Sequence, residues 1–167
     1  VTEPETLKNA SNEEDTSEEE VQPTEIVATN TLTMNYLEIV FTQDNGESYK
    51  VNATDVQTAS KEDAMQQILS IALAPFIVEK AELKDEKTAH IYFEQASLDG
   101  GNLTSSFQTG DFFGKLHYVM AKNFPEIESY YLVTDEGPAI IGEMGEASEA
   151  FENTPEGLHP TYIQIKE

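Results

Sequence analysis

The sequence predicts an α/β (α+β) domain: a single open mixed sheet with two helices packed on one face, in the order β-β-α-β-β-α-β, behind a disordered acidic tail. Three observations predict it. Apolar residues alternate with a period of two on either side of Asn45-Gly46 and again through AELKDEKTAHIYFEQ. Two other runs place apolar residues at helical spacing, and each is stopped by a proline, Pro75 and Pro125. The second of these leads at once into another strand pattern, SYYLVTD.

The chain opens with residues 1–30, which hold almost no large apolar side chains. Nine of the 32 acidic residues and one of the nine lysines fall within 1–26, leaving 23 acids and eight lysines for 27–167. NEEDTSEEEVQPTE cannot bury enough surface to offset its ordering entropy, and its like charges keep it extended. Residues 1–30 therefore read as a disordered tether. The first residue is Val, so the chain reads as trimmed, with an anchor segment removed ahead of the spacer.

Residues 31–167 read as one domain. In TMNYLEIVFTQ, Leu37, Ile39 and Phe41 share one side and Tyr36, Glu38 and Val40 the other. QDNGESYKV then supplies the Asn-Gly pair of a type I′ hairpin turn. DNGE is not a calcium loop, because Val40 stands where the first ligand belongs. Ser60-Lys61-Glu62-Asp63 resembles a capping box, a feature worth about 1 kcal/mol, and Met65, Ile68, Leu69 and Ala72 follow as a core stripe. FIVEKAELKDEKTAHIYFEQ makes two strands about a turn at residues 85–87, with Ala89, Ile91 and Phe93 opposite His90, Tyr92 and Glu94.

SLDGGNLTSSFQTG reads as a long polar loop, and loops of that length are often functional. Thr109 or Asp111 caps the second helix, whose stripe is Phe112, Phe113, Leu116, Val119, Met120 and Phe124. The strand over residues 127–134 is apolar on both sides, with Tyr131 and Val133 on one and Tyr130 and Leu132 on the other. Residues 145–167 either extend the domain or add an edge strand, with TYIQIKE as cover. Without that cover, Tyr92, Tyr130 and Leu132 form an exposed apolar patch.

Composition excludes several function classes. A formal charge of −23, with every basic residue a lysine, disfavours nucleic acid and an anionic membrane surface. The absence of cysteine removes disulfides, thiolate nucleophiles and Cys-ligated metals. No run of about 18 apolar residues spans a bilayer. There is no G-x-S-x-G elbow, and His90, His117 and His159 are scattered without metal-site spacing. His117 reads as a helix-boundary residue.

AELKDEKTAHIYFEQ is similar to the charged-turn hairpin of the sporulation and germination (GerMN) domain. FPEIESYYLVTDEGPAIIGE is similar to its closing helix-to-strand signature, and SKEDAMQQILSIAL stands where that family has its first helix. The likeness spans about residues 34–145. It departs at Tyr92-Phe93-Glu94 and at Val133-Thr134-Asp135-Glu136-Gly137, which is one residue longer than the family pattern. The resemblance implies a non-catalytic extracytoplasmic module of a Gram-positive bacterium, tethered at the cell surface as a lipoprotein and linked to the cell envelope or sporulation. It implies no cofactor and no catalytic residue.

The expected function is therefore binding or assembly, toward a protein partner or peptidoglycan, with membrane contact only through the removed anchor. The expected contacts are Leu98, Asn102, Leu103 and Phe107 of the long loop and Tyr92, Tyr130 and Leu132 of the outer sheet face. Two rival readings stand beside it. One is a cell-wall hydrolase with a carboxylate pair at Glu38 and Glu94, which would need one buried acid. The other is a small-ligand or calcium-binding lipoprotein using Asp99 and Asn102.

Overall fold

The computed structural model of the chain describes residues 28–42, 46–159 and 164–166. The expected tether falls on residues 1–30 and the Asn-Gly turn on residues 44–46. Apart from residues 28–30 and Gly46, both lie outside the described residues.

Strands β1 (Asn30–Thr42) and β2 (Gly46–Thr58) pair antiparallel from Asn30↔Thr58 to Thr42↔Gly46. Helix α1 (Lys61–Ala72) follows, capped by the Ser60 hydroxyl, which accepts from Asp63 N–H at 3.0 Å. The reciprocal bond of the capping box reaches Ala59 N–H, because Ser60 N–H is already held by the Thr58 hydroxyl. Met65, Ile68, Leu69 and Ala72 are buried, as the periodicity predicts.

Strands β3 (Val78–Leu83) and β4 (Thr88–Phe93) form a second hairpin, closed by Asp85 accepting from Lys87 N–H at 2.8 Å. A short helix α2 (Gln95–Leu98) and a turn lead to α3 (Ser106–Asn123). After Pro125 the chain enters β5 (Ser129–Thr134). Short strands β6 (Gly137–Pro138), β7 (Ile140–Ile141), β8 (Gly145–Glu146) and β9 (Phe151–Glu152) follow, with 3-10 turns at Gly142–Met144 and Pro155–Leu158. β10 (Gln164–Lys166) pairs in parallel with β2 at Ser48–Lys50, as an edge strand on the first hairpin.

The mixed α+β class and the main element order agree with the sequence, but the strands divide between sheets where one was expected. The larger sheet runs β9-β5-β4-β3, with β6 pairing the far end of β5; the smaller runs β10-β2-β1, and β7 pairs β8. The reason lies in the first hairpin, which carries apolar residues on both faces and is tied to α3 rather than to a sheet edge. Asn123 accepts from Asn35 N–H at 3.0 Å and donates to Asn35 C=O at 2.8 Å. Met34 and Val56 enter the main core, while Leu37 and Tyr49 pack with Tyr118 of α3.

The parallel register of β4 and β5 sets Ala89 beside Tyr130 and Ile91 beside Leu132. All four face the core, with Met65, Ile68 and Leu69 of α1 and Phe112, Leu116 and Met120 of α3. Burying each such large side chain contributes about 1.5–3 kcal/mol. Tyr130 and Leu132 are therefore core residues, both at 0% exposure, and not the outer patch expected of them. The period of two is right and its phase is inverted: Tyr131 and Val133 share the outer face with His90 and Tyr92. The parallel strand pairing decides this, because β5 must match the buried side of β4.

Candidate binding cleft

One stripe of α3 lines an open cleft of about 620 Å³: Ser106, Thr109 and Gly110, Phe113 and Gly114, then His117. These recur every three or four residues, so they share one helix face. The helix starts earlier than expected. Ser105, not Thr109 or Asp111, is its N-cap and accepts from Gln108 N–H at 3.1 Å. Gln108 in turn accepts from Thr104 N–H at 2.8 Å, so Ser-x-x-Gln acts as the capping signal. The expected long loop is correspondingly short.

The other walls come from the C-terminal third of the chain. Glu143 and Met144 stand on the first 3-10 turn, and Glu152, Asn153, Thr154, Glu156, Gly157 and His159 on the segment that runs from β9 through the second 3-10 turn. That segment is held in three ways. Phe151 pairs with Tyr130 across β9 and β5. Asn153 Nδ2 donates to the carbonyls of Met120, Phe124 and Ile127 at 3.2, 3.0 and 2.8 Å, closing the C-terminal end of α3. Gly157 lies so close to α3 that a Cβ there would stand 2.6 Å from the His117 carbonyl oxygen.

His117 and Tyr130 form the floor, with His117 Nδ1 and the Tyr130 hydroxyl in a short hydrogen bond. Burial lowers the His117 pKa to about 4 and pushes the Tyr130 hydroxyl well above its ordinary value. Both are neutral at pH 7, so the floor carries no charge. Around them sit Phe113, stacked on His117 at 5.6 Å, and Phe151, 5.4 Å from Phe113. His117 is thus the centre of an aromatic cluster rather than a boundary residue.

The seven residues expected to bind do not meet at one place. Leu98 and Leu103 are each 3% exposed and plug the core beneath the turn between α2 and α3. Asn102 and Phe107 are exposed on that turn and on the first turn of α3. Tyr92 is half-buried on the outer face, where it donates to Glu82 at 3.2 Å and lies 4.5 Å beneath the Lys80 ammonium. His90 packs there on Tyr131 at 4.9 Å. Lys84 and Lys80 hold the Glu82 carboxyl down to about 2. Tyr130 alone of the seven touches the cleft, from below.

The rival sites are likewise separated. Glu38 is exposed on β1, accepting from Asn52 Nδ2 at 2.6 Å, whereas Glu94 ends β4 in the other sheet. The Asp99 carboxylate accepts from Gln95 Nε2 at 2.9 Å. Among the described residues, no three His, Cys, Asp or Glu side chains gather to hold a metal, and no helix is long and apolar enough to cross a membrane. Sequence reasoning missed the cleft itself. Its one legible signal is the run Ser106, Gly110, Gly114, His117, small residues and one histidine on a single helix face.

No protein-family model and no curated protein matches the sequence. Solved structures do. The tandem GerMN domains of the sporulation protein GerM from Bacillus subtilis superpose with a TM-score of 0.50 at 19% identity, over 81% of this chain and 49% of that one. This chain therefore spans about half the length of the tandem protein. A candidate lipoprotein from Clostridium perfringens matches at a TM-score of 0.42 and 15% identity, over 79% of this chain and 93% of that one. The fold is GerMN-like.

Proposed function

We propose that the protein is a non-catalytic extracytoplasmic binding or assembly module associated with the cell envelope or sporulation, and that it holds its partner in the cleft beside α3. The observation that carries this reading is the cleft: about 620 Å³, aromatic at its floor and polar at its rim. Ligand sites commonly combine such an apolar floor with a few convergent polar groups. The GerMN-like fold and the sporulation protein that shares it support the setting. The acidic first 26 residues suit a spacer between a surface anchor and the domain. The partner is a protein or peptidoglycan, and exposed Asn102 and Phe107, with Tyr92 on the outer sheet face, add secondary contacts.

A hydrolytic reading needs a carboxyl with a raised pKa. At the cleft rim Glu156 moves the other way, held below its ordinary range by the Thr154 hydroxyl. The test is co-sedimentation of the full chain with purified peptidoglycan sacculi, with mass analysis of the supernatant. Pelleting with intact sacculi supports a wall-binding module. Released muropeptides would overturn the non-catalytic reading. A soluble protein with nothing released directs the search to protein partners, by crosslinking from a cysteine placed at Met144 on the rim.

A further inference from the structure

The chemistry of the cleft narrows what it takes, and the inference rests on the reading that the cleft is the binding site. Glu143, Glu152 and Glu156 stand on its walls, and no lysine is among the lining residues. Three carboxylates line one cleft, and the Thr154 hydroxyl stabilises only the Glu156 charge, with no cation on the lining to balance them.

A second, independent observation concerns two buried acceptors. Thr109 Oγ1 and Asn153 Oδ1 are buried without a hydrogen-bond partner among the described residues. The Asn153 amide already gives its Nδ2 hydrogens to main-chain carbonyls, so its oxygen is left without a donor of its own. A buried polar atom left in that state destabilises the fold. Both residues line the cleft.

The apolar part has a matching demand. Phe113, Met144 and the neutral His117 ring offer a surface for an alkyl stem, and the aromatic faces attract a cation. A ligand that is donor-rich, positive and apolar behind its charge matches the acidic walls and the apolar floor. An anion meets three carboxylates, and a neutral polyol leaves their charge uncompensated.

We propose that the cleft binds the alkylammonium side chain of a lysine-type residue in a peptide. Its ammonium sits among Glu143, Glu152 and Glu156, and its stem lies on Phe113 and Met144. A peptide is favoured over a bare amine by size, since clefts of ~300–1,000 Å³ take ligands of drug size, more than a diamine fills.

The test is a calorimetric and NMR titration of the full chain with three probes: Nα-acetyl-lysyl-alanine amide, the same dipeptide acetylated at Nε, and spermidine. The expected result is that the free lysyl probe binds at least tenfold more tightly than its acetylated twin and shifts the His117 ring protons. Glu152→Gln with Glu156→Gln removes that preference and leaves the chain folded, because both side chains are exposed. Equal binding of the two dipeptides at His117 would overturn the ligand class while leaving the cleft a binding site. Spermidine binding as tightly as the dipeptide would overturn the peptide assignment. If no probe moves the His117 ring, the ammonium proposal falls; sacculus binding in that case would show that the binding-module reading survives it.

Discussion

His117 and Tyr130 satisfy each other at the floor of the cleft, through the hydrogen bond between His117 Nδ1 and the Tyr130 hydroxyl. Tyr130→Phe leaves His117 Nδ1 unpaired, and the expected cost is about 1–2 kcal/mol, read from urea unfolding. Tyr130→Ala is a core deletion at 0% exposure and is expected to cost about 3–5 kcal/mol, where the sequence alone suggested a surface contact with an intact fold. The histidine also sets a pH dependence. Its folded pKa is lowered to about 4 from 6.5, so between those values the unfolded chain takes up the proton first. Its contribution is complete above pH 6.5 and is lost as pH falls toward 4, by up to about 3 kcal/mol at 1.36 kcal/mol per unit. Unfolding midpoints at pH 7 and pH 4.5 check this: His117→Phe should flatten that part of the profile, and an unchanged slope would refute it.

At the scale of elements, α3 carries the cleft and depends on its two ends. Ser105→Ala removes the cap and is expected to cost about 1 kcal/mol. The loss should appear as faster amide exchange at residues 106–109 with little change elsewhere. Gly157→Ala tests the packing of the last segment on the helix, because the new methyl would meet the His117 carbonyl at 2.6 Å. Overpacking of this kind costs about 1–3 kcal/mol, and displacement of the 3-10 turn would change the His117 ring resonances. An amide spectrum identical to the parent would show that the turn does not seat the cleft wall. Much at this scale was legible in the sequence. Met65, Ile68 and Leu69 announce α1, and Pro125 announces the handover to β5. The start of α3 was misread because Thr109 and Asp111 are also good caps, and only the bonds of Gln108 choose Ser105.

For the whole molecule, the first hairpin is the element whose place depends on distant contacts. Asn123 holds the Asn35 main chain from 88 positions away, and the Tyr49 hydroxyl donates to Asp111 at 3.2 Å. Asn123→Ala leaves both Asn35 groups to find new partners, and the expected loss is about 1–3 kcal/mol. Hydrogen exchange should show lost protection around Asn35 while β4 and β5 stay protected. Global unfolding at the same denaturant concentration by every probe would instead mean that hairpin and sheet form one cooperative unit. The charge of −23 acts on the same scale. Self-repulsion destabilises the compact state and is screened by salt, so the melting temperature should rise between 10 and 150 mM NaCl.

Periods of two and 3.6, turn chemistry and charge are enough to set the element types, the proline-bounded helices, the two hairpins and the acidic character. The sequence also carried a resemblance to the GerMN domain, which the superposition bears out at the level of fold. Tertiary structure decided which face of β5 is buried, since strand periodicity gives alternation without phase, and the parallel pairing of Ala89 with Tyr130 supplies the phase. It decided that Leu98 and Leu103 are anchors and that the first hairpin leaves the main sheet for the helices. It alone assembled the cleft, because Phe113, Glu143 and Glu156 come from segments far apart in the chain, and only packing of the last segment against α3 makes them neighbours.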